Sequence, residues 1–293
     1  MGPICAVVLA AGEGRRLRPL TSRRPKALCP VGNVTLLDRA LRNVASLGFT
    51  GPSAVAVNAW HRAGQVVAHT GDRAHLSVES TPAPLGSAGG LGALRDWIAG
   101  RHVLVANADA YLAAGDLSPL LDGWDGSHVR LLGVAAGTGP GARPAEFGAH
   151  RFAGMSLLPA DLVAALPATQ ADLVRAVWRP AEAAGRLSVV DYGGVYLDSG
   201  TPADYLAANL HSARVEGDGT LVAPGARVAG SATVRESVVG RRARVDGDIE
   251  HSVVWPDATV GPGEKLIGAI RYGGKGTVVA TTGLAAAERT PER

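Results

Sequence analysis

The residues best placed to do chemistry follow a short glycine turn. In Leu9-Ala10-Ala11-Gly12-Glu13-Gly14-Arg15-Arg16 the backbone N–H groups can form a nest for an anion, and Arg16 adds a forked donor suited to phosphate. Ten residues on, Arg24-Pro25-Lys26-Ala27-Leu28 supplies a compact point charge at Lys26. The chain has only three lysines, Lys26, Lys265 and Lys275, so a lysine set among arginines carries information. Two carboxylates stand in comparable places. Asp109, in Asn107-Ala108-Asp109, follows an apolar run and so falls at the carboxyl end of a strand, where open sheets bind ligands. Asp198 precedes Ser199-Gly200-Thr201-Pro202, where Thr201, Pro202 and Asp204 already provide N-cap, N1 and N3 for a helix, which leaves Asp198 available. The glycine spacing matches neither a Walker A loop nor the dinucleotide fingerprint.

Positioning these groups requires buried strands with turns at their ends. Residues 4–11 (ICAVVLAA) form an unbroken apolar run, as in a strand covered on both faces. A Thr35-x-x-Asp38 capping box opens a helix that ends at Gly48. Strands are expected at 53–58, 74–79, 102–106 and 129–135, with helices at 65–69 and 88–98 and an N-cap at Ser118 followed by Pro119. This alternation implies a doubly wound, mostly parallel α/β sheet.

From about residue 220 helical periodicity vanishes. Val222, Val228 and Val234 recur every six residues, Val239 and Val245 resume after a slip, and Val254 and Val260 follow. Ala226, Ala232, Ala243 and Ala258 hold the small position two residues before the next valine. The period predicts a short left-handed parallel β-helix of about two coils over 220–275. The expected organisation is therefore a catalytic domain at 1–215, the β-helix, and a flexible tail at 283–293.

The 293 residues are 46% apolar and 19% charged, a globular composition. Net charge is +3 and aromatics are 4%, which argues against a nucleic-acid partner. Two cysteines, Cys5 and Cys29, form no disulfide framework. No apolar run is long enough to span a bilayer and no leader pattern is visible, so no membrane association and a cytoplasmic location are expected.

The motif L-A-A-G-x-G-x-R-[LM]-x-P-L-T…P-K resembles the signature of the sugar-1-phosphate nucleotidyltransferases, over residues 1 to about 210. The β-helix resembles that of the mannose-1-phosphate guanylyltransferase branch. Residues 57–61 and 196–205, with Phe152-Ala153-Gly154-Met155, are similar to the N-acetylmuramate-1-phosphate uridylyltransferase branch. The resemblance implies that Leu9, Ala11, Gly12, Gly14 and Arg16 hold the triphosphate. It implies that Lys26 contacts the reacting phosphates and that Asp109 and Asp198 bind Mg²⁺. Gly86, Ser87 and Ala88, in Leu85-Gly86-Ser87-Ala88-Gly89, would lie against the base and lean toward GTP, with Asn58 within reach of the nucleotide. Gly154 would line the sugar pocket. Three departures stand out. Ala108 replaces a glycine, Phe152 replaces an asparagine, and an E-K-P segment is missing, for which Arg143 or Arg151 could substitute.

The implied reaction joins an NTP and a sugar 1-phosphate, or a sugar-like phosphate, with release of pyrophosphate. The acceptor phosphate has a second pKa of about 6 and needs no general base. Positioning and charge neutralisation then suffice. A homo-oligomer is expected. Two alternatives stay open: a non-catalytic sensor of nucleotide or sugar phosphate acting as an oligomeric regulatory subunit, and a hexapeptide-repeat acyltransferase.

Overall fold

A computed structural model describes residues 2–137 and 143–280. The expected tail at 283–293 lies outside the described residues. Two compact units divide the chain. The first takes the chain up to Glu13, Arg24–Leu28 and Leu36–Tyr196, and the second takes Gly14–Arg23, Cys29–Thr35 and the chain from Leu197 on.

The first unit is built on seven strands: β1 (Ile4–Leu9), β2 (Val55–Ala59), β3 (His75–Val78), β4 (His102–Asn107), β5 (Val129–Ala135), β6 (His150–Leu158) and β7 (Leu187–Asp191). Their order is β7-β5-β6-β4-β1-β2-β3. Strand β6 runs antiparallel to β4 and β5, and the other neighbours are parallel. The expected mostly parallel α/β sheet is thus present. Strands β6 and β7 carry no clean apolar run and lie outside the strands expected from sequence.

The apolar run of β1 alternates between two cores. Ala6 and Val8 pack with Val57, Leu104 and Ala106 under Leu37, Ala40 and Val44 of α1 (Leu36–Ser46). Cys5 and Val7 pack with Ala56, Val103 and Val105 on the opposite face. A strand in mid-sheet needs apolar groups on both sides, which explains the missing polar alternation. Helix α2 (Ala63–Thr70) follows β2. The helix expected at 88–98 starts earlier and breaks, as α3 (Gly86–Ala93) and α4 (Arg95–Ile98), with Leu94 at φ −92°, ψ 7° between them. Ser118 is not an N-cap. It opens a 3₁₀ turn whose N-cap is Leu117, and Asp116 accepts from its backbone N and hydroxyl at 2.9 and 2.7 Å. These bonds hold the Asp116 carboxyl below its usual range.

The second unit carries three parallel sheets of two- to four-residue strands. Leu221 stands over Val238, Val238 over Val253, and Val253 over Ile270. This gives three coils of 15 to 17 residues each, where two were expected; the segment has room for three. Val239, Ala243, Val245, Val254, Ala258 and Val260 are fully buried inside. At one corner Ser237 Oγ accepts from Ser252 N and Ser252 Oγ from Ala269 N, each at 3.1 Å. An antiparallel hairpin, Ala269–Tyr272 with Gly276–Val279, ends the stack.

A helix, Pro202–Glu216, packs within this unit. Tyr205 donates to the Pro30 carbonyl and accepts from Trp255 Nε1 at 3.0 Å, while Asn209 Oδ1 accepts from Gly32 N at 3.1 Å. Its contacts are shared between the 30–32 segment and the coils.

Candidate active site

In the central sheet Leu9 pairs in register with both Asn58 and Asn107. The carboxyl ends of β1, β2 and β4 therefore finish level. Strand β1 lies between β4 and β2, so the chain leaves it at the point where strand order reverses, the usual ligand site of an open α/β sheet.

A cavity of about 270 Å³ opens there. Its lining includes Leu9, Ala11, Gly12, Lys26, Asn58, Gly86, Ser87 and Asp109. Beyond the strand end, the N–H groups of Ala11 and Gly12 have no protein acceptor among the described residues. They are donors available to an anion.

Lys26 lies in a 3₁₀ turn, Lys26–Leu28, which packs against α1. Its ammonium donates to Asp109 Oδ2 at 2.6 Å. The lysine side chain is 8% exposed and the aspartate 42%. The pair thus presents a carboxylate to the cavity with the cation held behind it. The Ala108 N–H donates to the Leu9 carbonyl at 3.0 Å, which fixes the turn that carries Asp109.

Segment Leu85-Gly86-Ser87-Ala88-Gly89-Gly90 has a packing logic of its own. A Cβ on Gly86 would lie 2.5 Å from the Ala171 carbonyl oxygen, one on Gly89 2.1 Å from that of Thr169, and one on Gly92 2.2 Å from that of Pro167. Three glycines at helical spacing thus let the 167–171 backbone lie directly on α3. Ser87 Oγ accepts from Leu173 N at 2.9 Å, so its hydroxyl fixes the same segment. Ala88 is fully buried and outside the cavity lining.

Asn58 is 2% exposed. Its Oδ1 accepts from Ala10 N at 2.7 Å and its Nδ2 donates to Glu79 Oε1 at 2.8 Å. Both ends of the amide are engaged within the protein. Glu79, buried and absent from the site residues expected from sequence, also accepts from Leu85 N at 2.8 Å through Oε2. A glutamate directly after β3 and six residues before Leu85 is the one signal that could have found it.

Gly154, at φ +83°, packs against Ala110 at a distance that leaves no room for a Cβ, and it stands outside the cavity lining. Phe152 packs on Trp178 with ring centroids 4.5 Å apart. Arg151 lies over the Tyr196 ring, 5.9 Å from its centroid, and Arg143 is exposed.

The second unit holds Gly14, Arg16 and Asp198. Gly14 takes φ +65° at the start of the 3₁₀ turn Arg15–Leu17, and its carbonyl accepts from the Thr21 hydroxyl at 2.8 Å. The Arg16 guanidinium lies 3.9 Å from Asp198 Oδ2. A Cβ on Gly200 would fall 2.8 Å from Arg16 Nη2 and 3.0 Å from both Asp198 oxygens, so glycine leaves space beside this pair. Thr201 caps the following helix as expected, accepting from Asp204 N at 3.2 Å and donating to Asp204 Oδ2 at 2.8 Å.

Among the described residues no three His, Cys, Asp or Glu side chains cluster as an all-protein metal cage. Mg²⁺ does not require one. It takes oxygen ligands, keeps several waters, and is commonly held by one or two carboxylates with substrate phosphates. Asp109, half-exposed in the cavity wall, fits that donor set. No described helix is long and apolar enough to cross a membrane.

Comparison with known proteins agrees with this geometry. Mannose-1-phosphate guanylyltransferase of Mycobacterium tuberculosis is 31% identical over 121 residues, 40% of this chain and 33% of that protein. N-acetylmuramate alpha-1-phosphate uridylyltransferase of Neisseria meningitidis is 33% identical over 108 residues, 36% of this chain and 46% of that protein. The matches span a third to under half of these relatives. A Bacillus anthracis crystal structure in complex with sucrose, provisionally assigned as a glucose-1-phosphate thymidylyltransferase, superimposes with a TM-score of 0.60. It covers 71% of this chain and 95% of its own at 17% identity, a likeness of fold. The profile of the Nucleotidyl transferase family matches residues 5–158, over half of the sequence. With the glycine turn, Lys26 and Asp109 gathered at the strand ends inside that span, the chain belongs to the nucleotidyl transferase family.

Proposed function

We propose that this chain transfers a nucleotidyl group from an NTP to a sugar 1-phosphate and releases pyrophosphate. The observation that carries the reading is the cavity at the strand ends, with N–H donors on one wall and the Lys26–Asp109 pair on another. The two curated relatives are named for guanylyl and uridylyl transfer to sugar 1-phosphates, which fits the same acceptor class.

The residues divide the work by charge. Ala11 and Gly12 offer N–H groups to the triphosphate. Lys26 neutralises charge where the donor and acceptor phosphates meet. The ammonium is preorganised, because burial and Asp109 fix it before substrate arrives, and a fixed charge acts without reorganisation cost. Arg16 is assigned to the pyrophosphate that leaves. Asp109, half-exposed in the cavity wall, would hold Mg²⁺, and the family resemblance implies a metal-binding role for Asp198. When bound, that ion would offset the charge of the α-phosphate. No general base is required, since the acceptor phosphate is largely dianionic at neutral pH. GTP is the proposed donor, on the Leu-Gly-Ser-Ala-Gly segment.

The test is pyrophosphate release with Mg²⁺, crossing the common NTPs against a panel of sugar 1-phosphates. Release that needs both substrates supports the reading, and the strongest pair names base and sugar. NTP binding without release across the panel would favour the sensor alternative. No NTP binding would remove the assignment of the glycine turn.

A further inference from the structure

A buried hydrogen-bond chain joins the two loops on either side of the cavity. It runs from Ala10 N–H to Asn58 Oδ1 at 2.7 Å, from Asn58 Nδ2–H to Glu79 Oε1 at 2.8 Å, and from Leu85 N–H to Glu79 Oε2 at 2.8 Å. One end holds the start of the glycine turn and the other the entry to α3. The polarity is fixed at both ends, because a backbone N–H can only donate. Oδ1 must face Ala10, so Nδ2 must face the glutamate, and only a carboxylate can accept from both Asn58 and Leu85.

Glu79 is 7% exposed and Asn58 2%, and Glu79 stands outside the cavity lining. Gly90 makes room for the pair. A Cβ there would lie 2.7 Å from Asn58 Nδ2 and 3.3 Å from Glu79 Oε1. Helix α3 thus carries glycine on a second face, in contact with this chain of bonds and away from the 167–171 segment.

We propose that Glu79 is a positioning residue for nucleotide binding, holding the glycine turn and the Leu85-Gly86 loop at a fixed separation through Asn58. The proposal rests on the nucleotide-binding reading above. It assigns Glu79 no contact with substrate. Loosening the chain should weaken NTP binding and leave the acceptor's KM unchanged, because neither tethered loop bears the acceptor's proposed contacts.

A swap experiment tests this. Glu79→Gln leaves one acceptor for two donors. Asn58→Asp sets two carboxylates face to face. The double variant Asn58→Asp with Glu79→Gln rebuilds all three bonds and reverses the middle one alone: Ala10 N–H donates to Asp, the Gln amide donates to Asp, and Leu85 N–H donates to the Gln carbonyl.

NTP affinity is measured by calorimetric titration, independently of turnover, alongside KM for each substrate and thermal stability. The expected result is NTP affinity weaker by about tenfold in Glu79→Gln, the scale of one lost buried bond to a charged group. The KM of the sugar phosphate should stay unchanged, and the double variant should recover to within about threefold of wild type. Wild-type NTP affinity in Glu79→Gln, or lower stability at unchanged affinity, overturns the proposal. A double variant no better than Glu79→Gln also overturns it. Should Asn58→Asp fail to fold, the double variant is compared with Glu79→Gln alone. A wild-type protein that binds no NTP defeats the nucleotide-binding reading itself, a result distinct from the others.

Discussion

Two glycine-to-alanine substitutions in the same unit should change stability in opposite directions. Gly64 lies in α2, exposed, where an added Cβ would meet no atom within 4 Å and φ is not positive. Gly92 lies in α3, where the Cβ would meet the Pro167 carbonyl oxygen at 2.2 Å and its carbon at 2.4 Å. Alanine is favoured over glycine in a helix by about 1 kcal/mol, and Gly64→Ala should gain roughly that. Gly92→Ala gains the same propensity but drives two backbones apart. Ordinary contact begins near 3.4 Å, so the 167–168 segment must retreat by about 1 Å from a packed helix. Overpacking costs about 1–3 kcal/mol, and the upper end applies because both sides are backbone. The net effect is a loss of about 2 kcal/mol, or a Tm lower by about 4–8 °C for a unit of this size. Urea or thermal unfolding of the two variants gives the answer. If Gly92→Ala proves as stable as Gly64→Ala, the account of the glycine segment as a backbone-packing device is wrong.

Lys26→Ala and Asp109→Ala should each lower kcat by at least about 100-fold while circular dichroism stays native, since each removes a charge from the reacting centre. Near-normal turnover in Asp109→Ala would remove the metal assignment. Burial pushes the Cys5 thiol from 9.0 up to about 11. The folded state then holds the proton more tightly than the unfolded chain. The contribution is full below pH 9 and is lost as pH rises to about 11, by roughly 2–3 kcal/mol in all. Denaturant titrations should show this loss for wild type and not for Cys5→Ala. Thr201→Ala should cost about 1 kcal/mol through the lost cap, read as a lower denaturation midpoint.

The central sheet is legible in the sequence because β1, β2 and β4 are buried on both faces and read as unbroken apolar runs. Asp109 stands out in the sequence because it follows the apolar run of β4, and Lys26 because it is one of three lysines, set among arginines. Strand β6 is not, because His150, Arg151 and Phe152 begin it, and its identity depends on pairing with β4 and β5 rather than on local pattern. The coil number differs from expectation because the six-residue valine period slips between sheets, which hides where one coil of 15 or 17 residues ends and the next begins. Glu79 is hidden for a different reason. A single acidic residue just after a strand looks like any turn former, and its role exists only through bonds to Asn58 and Leu85 that no local pattern announces. The glycines of α3 read as a ligand loop, whereas four of them answer to neighbouring backbone or side chains.

The central claim is transfer at the α-phosphorus of a nucleotide to a sugar phosphate. Its most direct test is incubation of the protein with Mg²⁺, an NTP labelled with ³²P at the α-position, and a sugar 1-phosphate, followed by separation of the products. The label should appear in a nucleoside diphosphate sugar, only when both substrates are present, and Lys26→Ala should abolish it. Label found in free nucleoside mono- or diphosphate, or recovered entirely in unreacted NTP for every pair tried, would contradict it.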